Sequence, residues 1–347
     1  MAYTTIDDGS AHFTTTLYTG NESTNAITNS ANAGDFQPDW VWLKSRNSAT
    51  HHRLYDSSRG VLKNLLSSAN NSEATTANSL TSFDSNGFTL GSDDNSNQNS
   101  KTFVGWQWKA NGGTTSSNST GDITTTVQAN TTAGFSIMTW TSNNADNQTI
   151  GHGLGAAPEV FFVKIRDATG SWYCYFKEAG ATHYLSLNST GAAVDNVIWG
   201  DTHPTNSVIT VDTNSLSGGT PTVVSYAFKQ IQGYSKFGSY TGNGNADGPF
   251  VYTGFKPAWL LIKSSGSSGD NWVICDNKRD TFNVMENILL PNTNSAEFDE
   301  TSFDFLSNGF KLRQNAATYN DNNDTFIYMA FAEHPFVSSK GVPVTAR

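Results

Sequence analysis

Charge is scarce in this chain. Asp, Glu, Lys and Arg make up 14% of its 347 residues, and 30 acidic against 20 basic side chains leave a net charge of −10. No cluster of Lys and Arg occurs along it. Nucleic-acid binding by counterion release needs a basic stripe, and an anionic membrane attracts polybasic segments, so neither partner is expected. No apolar run approaches the roughly 20 residues of a spanning helix, so no membrane insertion is expected. The opening MAYTTIDDGSAHF lacks a basic stretch followed by an apolar one, and reads as a chain made in a cytoplasm without a secretory signal. Only two cysteines are present, Cys174 and Cys275. They are too few and too far apart for a disulfide framework, and their aromatic flanks suggest buried free thiols.

Aromatic residues are abundant by contrast, at 12%, and Asn, Ser, Thr and Gly fill the spaces between them. Long surface helices need Glu, Lys, Arg and Ala for their solvent faces, so helices are disfavoured. Short strands joined by many turns suit this mixture. Apolar and polar residues alternate through ITTTV, YLSL, VITV and FIYMAF, with Gly or Asn clusters between. The fold class expected is all-β, with three tandem antiparallel β-sandwich domains. VLKNLLSS, the best helical candidate, aligns with YLSLN and is read as strand. The SNGF strings imply hairpins in which Asn-Gly takes positive φ.

The number three comes from internal repetition. PDWVWLK (38–44), PEVFFVK (158–164) and PAWLLIK (257–263) are one motif repeated, with prolines 120 and 99 residues apart. An aromatic strand ending in a polar turn precedes each: FTTTLYTGN, FSIMTWTSN and FGSYTGNGN. After each come a strand containing Tyr55, Tyr173 or Cys275, a short apolar segment, a TSFD…SNGF hairpin (diverged to VIWGDTHPTNSVITV in the middle copy) and a closing aromatic strand. The period exceeds the roughly 20–50 residues of a solenoid repeat, so each copy is read as a domain with its own core. The expected divisions are 1–111 with an N-terminal docking arm, 112–232 with its leading linker, and 233–347 with a C-terminal extension. The Gly/Ser/Thr-rich stretch 109–122 implies loose coupling of the first two domains, and the short 229–236 junction a more rigid link between the last two.

A strand with one solvated face should alternate, yet Trp40–Leu43, Val160–Val163 and Trp259–Ile262 are apolar throughout. Both faces must be covered, by a long loop, a neighbouring repeat or another subunit. The lysine closing each motif is read as a strand terminator reaching solvent.

Catalytic chemistry has no local signature. The seven histidines (His12, His51, His52, His152, His183, His203, His334) share no position common to the copies and form no metal-binding pair. His51 and His52 read as part of a polar surface loop. Adjacent carboxylates such as Asp299 and Glu300 would point to opposite strand faces. The most site-like features are two Asn/Asp loops, where Asp93, Asn95 and Asn97, with Asp321 and Asn323 in the third copy, resemble half of a calcium loop. The match fails where Gln98 replaces the invariant glycine, and solvated Asx turns are the alternative. Trp106, Trp108, Trp172 and Trp199 flank polar loops and are candidates for stacking on a glycan or a partner.

The segments TTIDDGSAHF, GHGLGAAPEVFFVK and YSKFGSYTGNGNADGPFVYTGFKPAWLLIK, with SNGFKL, resemble repeat modules of marine bacteriophage virion proteins, especially those of phages of cyanobacteria and other ocean bacteria. The resemblance runs from Ala2 to Arg347. It implies jelly-roll or concanavalin-like modules, and a non-enzymatic virion structural protein located on the particle as a tail-fibre, tail-associated or capsid-surface appendage. Its partners would be other virion proteins, copies of itself in an oligomer and host surface glycans. Ala2–Thr16 and PFVSSKGVPVTAR would then be docking arms. A polysaccharide depolymerase and a calcium-dependent lectin are the competing expectations on the same fold.

Overall fold

The computed structural model describes residues 3–29 and 36–344. Strands take 43% of the chain and helices 6%, so the protein is all-β. Among the described residues the strands form six antiparallel sheets, two per copy: a main sheet holding the motif strand (six, eight and four strands) and a second, small sheet (three, two and four strands). In the first copy the motif strand Trp40–Ser45 lies between Arg53–Asp56 and the closing strand Thr102–Trp108, which pairs in turn with Phe13–Thr19. Val160–Ile165 and Phe255–Ser264 hold the same place in the other copies. VLKNLLSS is strand, as Lys63–Leu66. The motif prolines differ: Pro38 and Pro158 precede their strands, while Pro257 sits inside one, at a register irregularity that spares it a ladder bond.

The two-sided apolar strands are covered by a small sheet on one face and by the other copies on the opposite face. Val41 and Leu43 pack with Ile27, Leu80, Phe88 and Leu90 of the first copy's small sheet. Trp40 and Trp42 point the other way, into a cluster that also contains Val160, Phe162, Trp259 and Leu261. The remaining copies divide their motif strands likewise, Phe161 and Val163 in one local core, Leu260 and Ile262 in another. Each copy thus has a core of its own, but the largest apolar cluster belongs to all three, and they are not independent domains. At its centre Trp40 and Trp108 lie 4.5 Å apart and Trp108 meets Trp259 edge-on at 5.5 Å. The indole N–H groups of these three find no oxygen or nitrogen partner among the described residues.

The seams between copies close in a ring. Backbone N–H of Glu73 donates to the Arg166 carbonyl (2.6 Å), Ala193 to Ser265 (3.0 Å) and Glu297 to Arg46 (2.7 Å), so first joins second, second joins third and third joins first. In the reverse direction the Trp172 indole donates to the Leu66 carbonyl (2.7 Å) and Trp272 to Ser186 (3.0 Å). His52 occupies the corresponding position at the last seam, with the Leu290 backbone beside its ring. It is fully buried there and accepts from the Trp42 indole at 2.9 Å, so the surface-loop reading of His52 is wrong. This is a heterologous interface that closes, the geometry of a cyclic trimer built in one chain.

Closure overturns the expected loose coupling of the first two copies. The 109–122 stretch is held by Asp39, whose carboxylate accepts from the backbone of Ala110, Gly112 and Gly113 at 2.7–2.9 Å. Ser116–Asn118 then joins the second copy's main sheet as its edge, and Gln128 bonds Ser57 and Ser58 across the seam. The chain ends are not free arms either. Phe13–Thr19 is a sheet strand, Ile6 lies in the shared core, and Tyr3 bonds the Gly254 carbonyl of the third copy. Asp7 accepts from both the backbone and the hydroxyl of Ser339, so the N-terminal segment and the C-terminal segment clasp each other. Ala2 and residues 345–347 of the expected arms lie outside the described residues.

The SNGF hairpins form, but not for the expected reason. Asp84 pairs with Gly87 and Leu306 with Gly309, which puts Ser-Asn in the turn and the glycine in the strand. Neither turn asparagine has positive φ. A Cβ on Gly87 would sit 2.0 Å from the Ile27 carbonyl oxygen, and one on Gly309 2.1 Å from that of Val251. The glycine admits the edge strand to close approach. Gly309→Ala is therefore expected to destabilise the protein by about 1–3 kcal/mol, the usual cost of overpacking, and to release the 250–252 edge first. Urea unfolding and amide exchange at Val251 measure both effects.

Candidate binding face

The four tryptophans proposed for ligand contact are all buried. Trp106 donates to Asp276 at 3.0 Å, Trp108 is central to the shared cluster, Trp172 bridges a seam, and Trp199 packs against Phe161 while donating to the His183 carbonyl at 2.9 Å. Flanking polar loops concealed how much apolar area their indoles cover inside. They cannot serve as a stacking platform.

The calcium-like loops are used internally too. The Asn97 side chain is fully buried, donating to Asn21, Ser23 and Gly91 and accepting from Asn21 and Asn25. Asp93 accepts from Asn95 and Ser96, and precedes the single helical turn Asp94–Asn97. In the third copy Asn320 holds the corresponding loop, bonding Asn243, Asn245 and Gln314. Asp321 caps the Asn322 backbone, and Asn323 takes positive φ in the turn. Asn97 and Asn320 are buried turn-locking amides, while Asp321 and Asn323 are exposed turn residues. Among the described residues no group of three or more His, Cys, Asp and Glu is placed to hold a metal.

The motif lysines do not reach solvent as strand terminators. Lys44, Lys164 and Lys263 are buried, and each ammonium donates to the carbonyl of the following residue at 2.7–2.9 Å. Lys164 and Lys263 also reach backbone carbonyls of the preceding copy, at Asn70 and Thr190, at the outer limit of bonding distance. Burial brings all three down to about 8. Their alternation with Trp42, Phe162 and Leu261 turns them toward the seams. Cys174 and Cys275 are free and buried, with both thiols pushed up by desolvation.

Among the described residues the most exposed aromatic rings lie in the third copy: Phe282 stands out by 84% on the loop that Asn283 ties to Phe305, and two more rings line the outer face of this copy's small sheet. Its edge strand Phe250–Tyr252 buries Val251 and exposes the residues on either side, Phe250 by 45% and Tyr252 by 57%. Register places Tyr252, Gly309 and Leu306 in one row, with Phe250, Lys311 and Asp304 in the next. The Phe250 ring lies over Gly309, where an added Cβ would come within 2.8 Å of it. Tyr252 folds back toward Gly254, where the Tyr3 hydroxyl donates to the Gly254 carbonyl at 2.8 Å. Desolvation, and then the hydrogen bond to Tyr252, push the Tyr3 phenol up to about 12. Beside the rings stand two ion pairs, Lys311 with Asp247 (2.7 Å) and Arg313 with Asp304 (2.8 Å). Lys311 lowers the Asp247 carboxyl through that hydrogen bond.

The other copies show that the fold does not require these rings. Matching the buried Ile27, Ile150 and Val251 puts Ala26 and Thr28 in the first copy, and Thr149 and Gly151 in the second, where the third has Phe250 and Tyr252. The sequence analysis missed the pair because it sought large aromatics next to polar loops. Aligning the copies position by position, FVY against AIT and TIG, is the signal that reveals them.

Fold and face together define an all-β, three-copy ring in which, among the described residues, the exposed aromatic pair at the small-sheet edge occurs in the third copy alone. The chain belongs to the family described as Domain of unknown function (DUF7483), whose model matches residues 8–335, so all three copies fall within one family unit. No curated protein and no solved structure matches the chain.

Proposed function

We propose that the protein is a non-enzymatic structural component of a bacteriophage particle, carried on the tail or capsid surface, with the third copy's aromatic face turned outward toward the host. The observation that carries this reading is the ring itself. Its polar and charged seam residues bond one another across closed interfaces, making a rigid body rather than a hinged cleft. The likeness of the three motif-bearing segments to marine phage virion modules supports the assignment to a particle. A rigid pseudo-trimer offers a compact mount on a symmetric assembly without needing a coiled coil. Partners on this reading are other virion proteins. Mass spectrometry of purified particles tests it: the chain should be present at stoichiometric copy number, and particles without it would refute the assignment.

A further inference from the structure

We propose that the outer face formed by Tyr3, Phe250, Tyr252 and Gly309 is a carbohydrate-binding site that takes one or two pyranose rings of a neutral glycan. The inference deepens the reading above by naming what the outward face recognises; it relies on that reading for the glycan's biological source and not for the binding itself.

Size selects the occupant. A Phe or Tyr side chain carries about 150–250 Å² of surface, so the exposed fractions of Phe250 and Tyr252 together offer about 200 Å², and counting Phe282 on the neighbouring loop brings the total to only about 400 Å². A stable protein interface needs about 800 Å² from each partner. The patch is therefore too small for a second copy of the chain or another folded protein, and suits a ligand of sugar-ring dimensions. Shape points the same way. Gly309, in the row between Tyr252 and Leu306, has no side chain to hold the Phe250 ring away, so the ring tip packs down against its backbone beside Tyr252 and the face stays low. Sugars present an apolar ring face edged by hydroxyls, which an aromatic surface with nearby polar groups can match. Lys311, Asp304 and Arg313 lie on the adjoining row or beside it, at the ring periphery. Arg313 pairs with Asp304 and Lys311 with Asp247, so the cations on this row are matched by carboxylates and the face favours a neutral sugar.

Pre-organisation supports the assignment. The Tyr3 hydroxyl is fixed on the Gly254 carbonyl beside the Tyr252 phenol, so the Tyr3 ring is oriented before any ligand arrives. Tyr3 comes from the start of the chain and reaches the third copy because the ring closes. The first and second copies have neither this supporting phenol nor the aromatic pair, so the site is single in a threefold molecule.

The test uses the intact chain titrated with hexasaccharides of β-1,4-glucose, α-1,4-glucose and β-1,4-galactose, followed by calorimetry and by NMR of aromatic ring protons. Binding to at least one, at millimolar affinity or better, with shifts confined to Tyr3, Phe250 and Tyr252, is the expected result. Tyr252→Ala and Phe250→Ala should each weaken it about tenfold. Phe250→Ala and Tyr252→Thr restore residues found at these positions in the first copy, so folding is preserved, and urea midpoints check this. Leu17→Ala, an exposed apolar change on the first copy, should leave affinity intact. No binding to any of the three sugars, unchanged affinity in Tyr252→Ala, or a dimer that Tyr252→Ala dissolves would each overturn the proposal. The virion assignment stands or falls separately, on particle composition.

Discussion

Arg59→Met is expected to destabilise the protein by about 3–5 kcal/mol, the cost of leaving a buried carboxylate without its cation. The Arg59 and Asp56 side chains are both fully buried and paired through Nε. The guanidinium also bonds Glu73 at 3.0 Å and the Leu54 carbonyl at 2.9 Å. Asp56 in turn accepts the Tyr226 hydroxyl of the second copy at 2.6 Å, and Glu73 is bridged to Arg166 across the same seam. Without Arg59, Asp56 retains, among the described residues, the phenol and one backbone N–H. The third copy repeats the device with Asp276, Arg279 and Glu297, where Trp106 supplies the cross-seam donor.

The second copy shows how the charge can be dispensed with. In the aligned positions it has Phe176 for Asp56, Ala179 for Arg59 and Ala193 for Glu73, and the residue facing it from the third copy is Met329 rather than Tyr226 or Trp106. Replacing a whole buried ionic group by packed apolar residues is often neutral or stabilising. The combined variant Asp56→Phe, Arg59→Ala, Glu73→Ala and Tyr226→Met should therefore recover most of the stability that Arg59→Met loses. Urea denaturation of both variants measures this. Equal losses in the two would show that the seam depends on its charges and not on a satisfied interior.

Stability is expected to rise by about 2 kcal/mol between pH 7 and pH 9, against the usual behaviour of proteins above neutrality. Lys44, Lys164 and Lys263 titrate near 8 when folded and near 10.4 when unfolded. Below pH 8 both states are protonated and the folded state bears the full cost of burying three ammonium groups. As pH rises past 8 the folded amines lose their protons while the unfolded ones keep them. The unfolded chain then binds more protons, and the free energy of unfolding increases with pH. The two buried thiols oppose this. They stay protonated in the fold while unfolded cysteines ionise near 8.5, so their contribution falls as pH climbs, which reduces the gain to the figure stated. Unfolding in urea at half-unit pH steps gives the profile. Changing all three lysines to methionine should remove the rise and leave only the thiol-driven fall; a parent protein that weakens steadily from pH 7 to 9 would show that the amines are not desolvated.

The sequence was most informative where a physical constraint acts along the chain. An unbroken apolar strand cannot be solvated on either side, so PDWVWLK and its two relatives had to be covered twice, and they are. Composition alone excluded a helical protein. The sequence was least informative wherever exposure depended on a distant copy. Trp172 and His52 sit beside polar residues and looked exposed, yet each meets the backbone of a neighbouring copy in a seam. The motif lysines looked like ordinary strand ends because the carbonyls that receive them lie in part on another repeat. The aromatic pair of the third copy was within reach, since it needs only three aligned tripeptides, but the packing of Phe250 onto Gly309 is decided by strand register.

Composition, alternation and repetition settled the all-strand class, the number of copies and the strands needing cover on both faces, because these follow from local packing periodicity. Folding in three dimensions decided that the copies cover one another in a closed ring, which side chains disappear into its seams, and which remain in contact with water. That division arises because burial is a property of what approaches from elsewhere in space, and neighbouring residues in the chain do not fix it.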